Sequence, residues 1–149
     1  MRKRNEQIFT TQLLKWIRAK NFISDSCAIE VKVTETNTIP FSAVKMHQVL
    51  ALQQVKGGQL AIKLTDDSMG KKPFDLFVLK KAKASLVLAF ITPRKNTRFW
   101  VIDIDLWDEA RLAGIKSKKK SLTVLDLETY SWMHPQLCRG YEIASLHSR

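Results

Sequence analysis

The sequence predicts one α/β or α+β domain, a mixed β-sheet with helices packed against it. Three observations carry that expectation. Apolar positions recur at helical spacing in some segments and in alternation or short runs in others, in the order helix, strand, helix, strand, paired strands, strand. That order suits a sheet covered by helices. The chain has 149 residues, 45% hydrophobic and 26% charged, enough to bury its own core without disulfides or metal staples. No repeat, low-complexity linker or break in composition divides it, so residues 1–149 read as one unit.

Each element has its own signal. Residues 5–20 form a predicted helix, because Phe9, Leu13, Trp16 and Ile17 share one face. Residues 27–33 form a strand that turns Ile29, Val31 and Val33 to one side and Glu30 and Lys32 to the other. Beyond Pro40, Ser42 is the predicted N-cap of a helix that runs to about Lys56 and stops at Gly57-Gly58. Gln59 to Leu64 reads as a short strand, so residues 27–64 are expected to form a right-handed parallel crossover. Asp66 to Gly70 is a turn. Phe74–Leu79 and Ser85–Ile91 are apolar runs joined by a short Lys-rich connection, a predicted hairpin. A strand over Phe99–Asp105, a short helix over 107–114 and a basic loop over 116–120 follow. The last thirty residues carry weak periodicity and are left unassigned.

Lys and Arg total 25 against 14 Asp and Glu, a formal charge of +11. The excess is clustered at Arg2/Lys3/Arg4, Lys71/Lys72, Lys80/Lys81/Lys83, Arg94/Lys95/Arg98 and Lys116/Lys118/Lys119/Lys120. Several clusters fall in predicted turns, where they can face a polyanion. No stretch free of Lys, Arg, Asp and Glu exceeds ten residues, which excludes a membrane-spanning helix. A membrane-surface role lacks its Lys-rich amphipathic helix. Only Cys27 and Cys138 are present and they lie far apart, which fits small buried thiols in a reducing compartment. The segment after Arg4 holds Glu6, Gln7, Thr10, Thr11 and Gln12, unlike a secretory signal, so a cytoplasmic location is expected.

Few residues suggest chemistry. Glu30 and Lys32 share a strand face, where a carboxylate can hold a divalent cation and an ammonium can orient water or offset developing charge. A cross-charged pair on a wet sheet face is the plainer explanation. Gln48 lies within the apolar stripe of Val44, Leu52 and Val55, so it either satisfies backbone groups or faces a polar site beside the sheet. His47 points elsewhere, and no second His or Cys stands at zinc-ligand spacing. Asp66, Asp67 and Asp75 flank the turn before an apolar run. A carboxylate at a buried strand end would need a partner or a cation, although an Asx turn or pairing with Lys71 or Lys72 would also serve. Gly57-Gly58 is no phosphate loop, since it ends a helix and lacks the following Lys-Ser/Thr. No Ser, Cys or His has a nucleophile's setting.

These residues, in this order, resemble the Holliday-junction resolvase branch of the PD-(D/E)XK nucleases. Ile29-Glu30-Val31-Lys32-Val33, Ile39-Pro40-Phe41-Ser42, His47-Gln48 and Leu52 carry the resemblance. Lys63 to Ser68 and Lys72-Pro73-Phe74-Asp75 look like small phage and prophage members. It spans roughly residues 5–105. It implies a restriction-endonuclease-like fold and a Mg²⁺-dependent (or Mn²⁺-dependent) endonuclease acting on branched or duplex DNA in recombination or phage DNA processing. A phage-encoded enzyme would work in the host cytoplasm. By the same resemblance Glu30 and the Val31 carbonyl bind metal, Lys32 positions water or offsets charge, and Gln48 supports the site. Glu6 loosely matches an N-terminal helix glutamate, and a homodimer is implied because two strands are cut symmetrically. One departure stands out. The family's Asp usually lies on the strand before Glu-x-Lys, but Asp25 sits at an odd offset from Glu30 with no room for a hairpin. The second metal carboxylate is therefore expected from Asp75, with Asp66 in reserve, and Ala89 stands where the Asp-bearing hairpin would carry Glu.

The basic residues expected to hold DNA phosphates are Lys71, Lys72, Lys80, Lys81, Arg94, Lys95, Lys118, Lys119 and Lys120. Two other readings compete. One is a non-catalytic DNA-binding module on the same fold, in which Glu30–Lys32 is only a salt bridge. The other is a basic module that docks an acidic protein. Loss of Glu30 and Asp75 separates the first from a nuclease, and preference for DNA over other polyanions separates the second.

Overall fold

Period-two apolar strands build a sheet, and helices cover both of its faces. The computed structural model describes residues 2–20, 26–64 and 74–145, with side chains from Arg4 onward. The elements run α1 (Arg2–Lys20), β1 (Cys27–Thr34), β2 (Thr38–Pro40), a 3₁₀ turn (Phe41–Ala43), α2 (Met46–Gly57), β3 (Gln59–Lys63), β4 (Leu76–Lys80), β5 (Lys83–Phe90), β6 (Thr97–Asp103), α3 (Ile104–Ser117), β7 (Ser121–Thr123), α4 (Val124–Met133) and β8 (Cys138–Ile143). The main sheet has the order β1-β5-β6-β8, with β1 parallel to β5 and the other pairs antiparallel. Two small ribbons accompany it, β2–β7 and β3–β4, both antiparallel. The chain is a mixed α+β fold in a single compact domain.

Alternation along β5 sorts the core. Ala84, Leu86, Leu88 and Phe90 face the layer of α2, α3 and α4, whereas Val87 and Ala89 face α1. Phe9 and Leu13 are the buried anchors of α1, with Trp16 and Ile17 packed beside them. On the other face Val49, Leu52 and Val55 of α2 meet Leu106, Trp107 and Ala110 of α3. Ile29, Val31 and Val33 join the α1 side, as their spacing predicts.

Several expectations are corrected. Phe74–Leu79 and Ser85–Ile91 do not form a hairpin: β4 pairs with β3, and β5 pairs with β1 and β6. The connection is tight, but Lys81 at φ 47° and the bond from Lys81 N–H to the Gly58 carbonyl turn the chain from one sheet into another. For the same reason β3 is not the parallel partner of β1. That role falls to β5, after an excursion through α2 and the ribbon. Ser42 is not a helix cap, because Phe41–Ala43 close a 3₁₀ turn and Val44 N–H bonds to the Phe41 carbonyl; Lys45 is the N-cap of α2. α3 is longer than expected, since Asp103 caps it by accepting from Asp105 N–H. Lys116 belongs to that helix, which leaves Lys118–Lys120 as the basic loop. Cys138 is buried but Cys27 only partly so.

The run of the elements defines two ends. β1 and β5 finish at one end, where the 91–96 turn, the β2–β7 ribbon, the starts of α2 and α4 and the end of α3 also lie. The β3–β4 ribbon leaves from the other end, near the C-terminus of α2, where Ala82 N–H reaches the Val55 carbonyl.

Candidate functional site

Among the described residues β1 is an edge strand that pairs with β5 alone. The carbonyls of Ser26 and Thr34 accept from Lys83 and Ile91 N–H on the β5 side. Carbonyls alternate along a strand, so those of Ile29, Val31 and Val33 face the open edge. Glu30 and Lys32 pair in register with Leu86 and Leu88, which places their side chains under α2. They are neither on a wet face nor fully enclosed, with 29% and 16% of the side chain exposed.

Lys32 Nζ lies 2.7 Å from Glu30 Oε1, and Gln48 Nε2 donates to the same oxygen at 2.6 Å. Among the described residues no bond is made by Glu30 Oε2. Gln48 is the third residue of α2, and its other amide atom, Oε1, accepts from Lys45 N–H at 3.0 Å. One side chain thus closes the start of α2 and grips the strand carboxylate. The helix interior supplies no N–H for this, because the first turn's donors are the ones left without an internal partner. The glutamine in the apolar stripe is therefore a polar-site residue.

A cleft of about 310 Å³ opens beside this group. Glu6 of α1, Lys32, Val33 and Thr34 form one wall, and Ile39, Pro40, Ser42, Ala43 and Lys45 the other. The N-terminal turn of α1 is anchored there by Asn5 Nδ2, which donates to the Glu35 carboxylate. Among the described residues no three His, Cys, Asp or Glu side chains gather closely enough to hold a metal by themselves. A cation at Glu30 would therefore rely on backbone and water oxygens as well, which is the usual habit of Mg²⁺.

The structure brings Glu30, Lys32 and Gln48 together, with the Val31 carbonyl turned to the open edge of the same strand, and leaves Asp75 out. Asp75 is exposed beside β4, its carbonyl accepts from Leu64 N–H, and it lines no part of the cleft. β4 is not the buried strand its composition suggests: Leu76, Phe77 and Val78 are all exposed and only Leu79 is buried. With no burial to offset, Asp75 has no need of a cation. Asp66, like Asp25, Lys71 and Lys72, lies outside the described residues. Among the basic residues, Arg94 and Lys95 sit in the turn at the cleft end, and Lys118–Lys120 adjoin the cleft wall, because Phe41 N–H bonds to the Lys120 carbonyl. Lys119 also pairs with Asp126 at 2.6 Å. Lys80 and Lys81 belong to the other end. Sequence reasoning passed over Ser42 as a site residue and Lys45 altogether. Their signal was position, in the segment between Pro40 and His47-Gln48.

Comparison with models of protein families, with curated proteins and with solved structures returns no match. No helix among the described residues is long and apolar enough to cross a membrane.

Proposed function

We propose that this protein is a Mg²⁺-dependent, structure-selective DNA endonuclease of the Holliday-junction resolvase type, on a restriction-endonuclease-like fold. The observation that carries the reading is Gln48. Eighteen residues from Glu30 in sequence, it donates to the Glu30 carboxylate beside Lys32, on the open edge of the sheet. A plain surface ion pair has no use for such a helix-borne amide.

The donor set fits a hard cation. Glu30 Oε2 is free of protein bonds among the described residues, the Val31 carbonyl faces the same edge, and Glu6 borders the cleft. We assign the second carboxylate to Glu6 in place of Asp75. Mg²⁺ held there would supply Lewis-acid activation of water and charge screening at a phosphodiester. The chain's own residues do the rest. Gln48 fixes the orientation of Glu30. Lys32, held 2.7 Å from that carboxylate, is placed to orient a water or offset charge on the phosphate. Arg94, Lys95, Lys118 and Lys120 flank the cleft as phosphate contacts, which read backbone shape more than bases. The test is cleavage of four-way junction, flap and linear duplex DNA with and without Mg²⁺. Metal-dependent cutting that is lost in Glu30→Gln supports the reading. Binding without cutting under all metal conditions leaves a DNA-binding module instead.

A further inference from the structure

The second wall of the cleft meets the group around Glu30 through the Lys45 N–H bond to Gln48, and its backbone is firmly held. Phe41 carries it. Its ring packs edge-on to Trp107 at 5.4 Å, and its N–H is bonded to the Lys120 carbonyl at 2.9 Å. Gly114 of α3 leaves the ring its space, since a Cβ there would stand 2.7 Å from Phe41 Cε2. At the other end of the segment, Lys45 N–H is held by Gln48 Oε1, and the Lys45 carbonyl accepts from Gln48 and Val49 N–H. The backbone from Phe41 to Lys45 is thus fixed at both ends. Between these anchors, Ser42 and Lys45 line the cleft and are otherwise exposed.

Charge gives the segment a purpose. Lys32 on the facing wall is neutralised by Glu30. Among the described residues Lys45 makes no ion pair, so its ammonium is open to an anion on its own wall, while the Glu6 carboxylate lies on the facing wall. Ser42 adds a hydroxyl donor three residues earlier. A rigid mount with a hydroxyl and a free ammonium suits an oxyanion, and a fixed backbone spares the ordering cost of such a contact.

We propose that Ser42 and Lys45 form a second phosphate subsite, holding a DNA backbone phosphate next to the one that faces Glu30 and Lys32. The subsite rests on the nuclease reading only for DNA as its ligand. It requires that two consecutive phosphates bridge the cleft, one on each wall, so that the strand is held on both sides of the cut.

The experiment measures affinity of the full chain for labelled four-way junction and duplex in EDTA, across a salt series. Removing one phosphate contact lowers the slope of log K against log salt by about 0.9, which is about an eightfold loss of affinity at 0.1 M relative to 1 M. Lys45→Ala should show that loss, Lys45→Arg should keep the parent slope, and Ser42→Ala should weaken binding with the slope unchanged. Lys20→Ala, at the far end of α1, is the control for loss of one charge, and thermal melts establish that each variant is folded. Equal slopes in Lys45→Ala and the parent overturn the subsite, as does an equal fall in Lys20→Ala. If Lys45→Ala flattens the slope but Mg²⁺ never yields cleavage, the subsite stands and the nuclease reading fails. A parent slope near zero overturns both.

Discussion

Replacing Gln48 by Ala removes two bonds that meet in one side chain, and their loss can be sized. The bond from Nε2 to Glu30 ends on a carboxylate, and hydrogen bonds to charged groups contribute ~1.5–3 kcal/mol. Glu30 keeps Lys32 and some solvent, so the lower end of that range applies. The bond from Oε1 to Lys45 N–H closes the first turn of α2, and losing such a cap costs about 1 kcal/mol, less where water can replace it. The sum is ~2 kcal/mol. For a chain of 149 residues this lowers Tm by about 4–8 °C. Cleavage should fall more steeply than stability, by about 10- to 100-fold, as when the hydrogen-bond partner of a metal-binding carboxylate is lost. Junction binding should change little. Urea unfolding followed by Trp fluorescence gives the first quantity, and single-turnover cleavage the second. Unchanged stability would refute the two-ended bond. A destabilised variant with normal cleavage would show that Gln48 is only a structural amide.

Other outcomes follow from separate contacts. Gly114→Ala should destabilise the fold by ~1–3 kcal/mol despite the better helix propensity of Ala, because its Cβ would meet Phe41 at 2.7 Å and the Lys119 carbonyl at 2.8 Å; denaturant titration reads this directly. Asp126 has its carboxyl held below the usual range: burial opposes this, but Lys119 and the Thr123 N–H and hydroxyl outweigh it. Its contribution is therefore complete above the unfolded carboxylate value of about 3.9 and is lost as pH falls through its lower folded value. Asp126→Asn should flatten that acid limb in a Tm-against-pH profile. Lys56 is pushed the other way: burial would lower it, but Asp103 and Asp105 together raise it. Its stabilisation is present below the unfolded value of about 10.4 and fades as pH rises through the raised folded value, so Lys56→Met should lose Tm at neutral pH and lose the parent's alkaline decline. Finally, Glu6→Ala should depress metal-dependent cleavage, whereas Asp75→Ala should leave it near the parent rate; the reverse would return the second carboxylate to the ribbon.

The local patterns legible in the sequence are those set by side-chain parity. The faces of β1 follow from alternation alone, which puts Glu30 and Lys32 opposite Ile29, Val31 and Val33. Leu52 and Val55 of α2 likewise single out Gln48 as a polar residue on a buried face, although Val44, expected on the same helix, lies before it in extended backbone. Strand partnership is another matter. The Phe74–Leu79 and Ser85–Ile91 runs look like hairpin arms because their connection is short, yet a left-handed Lys81 sends them to different sheets. Apolar composition does not reveal that β4 is exposed, and the expected role of Asp75 rested on that burial. The last thirty residues are silent for a different reason. β7, α4 and β8 are short, and β8 is an edge strand whose Arg139 and Glu142 break the apolar alternation. Glu6 and Lys45 reach the cleft only through tertiary packing, which no local period records.

The central claim is that Glu30, oriented by Gln48 and set beside Lys32, is the metal-binding centre of a DNA-cutting site. The most direct measurement is single-turnover cleavage of a four-way junction by the parent chain and by Glu30→Gln, with and without Mg²⁺, alongside junction affinity measured in EDTA. The account predicts cutting by the parent only with the metal, no cutting by Glu30→Gln, and junction affinity of Glu30→Gln no weaker than the parent's, since the change uncovers Lys32. Equal cleavage by Glu30→Gln, or cutting that ignores the metal, would contradict it.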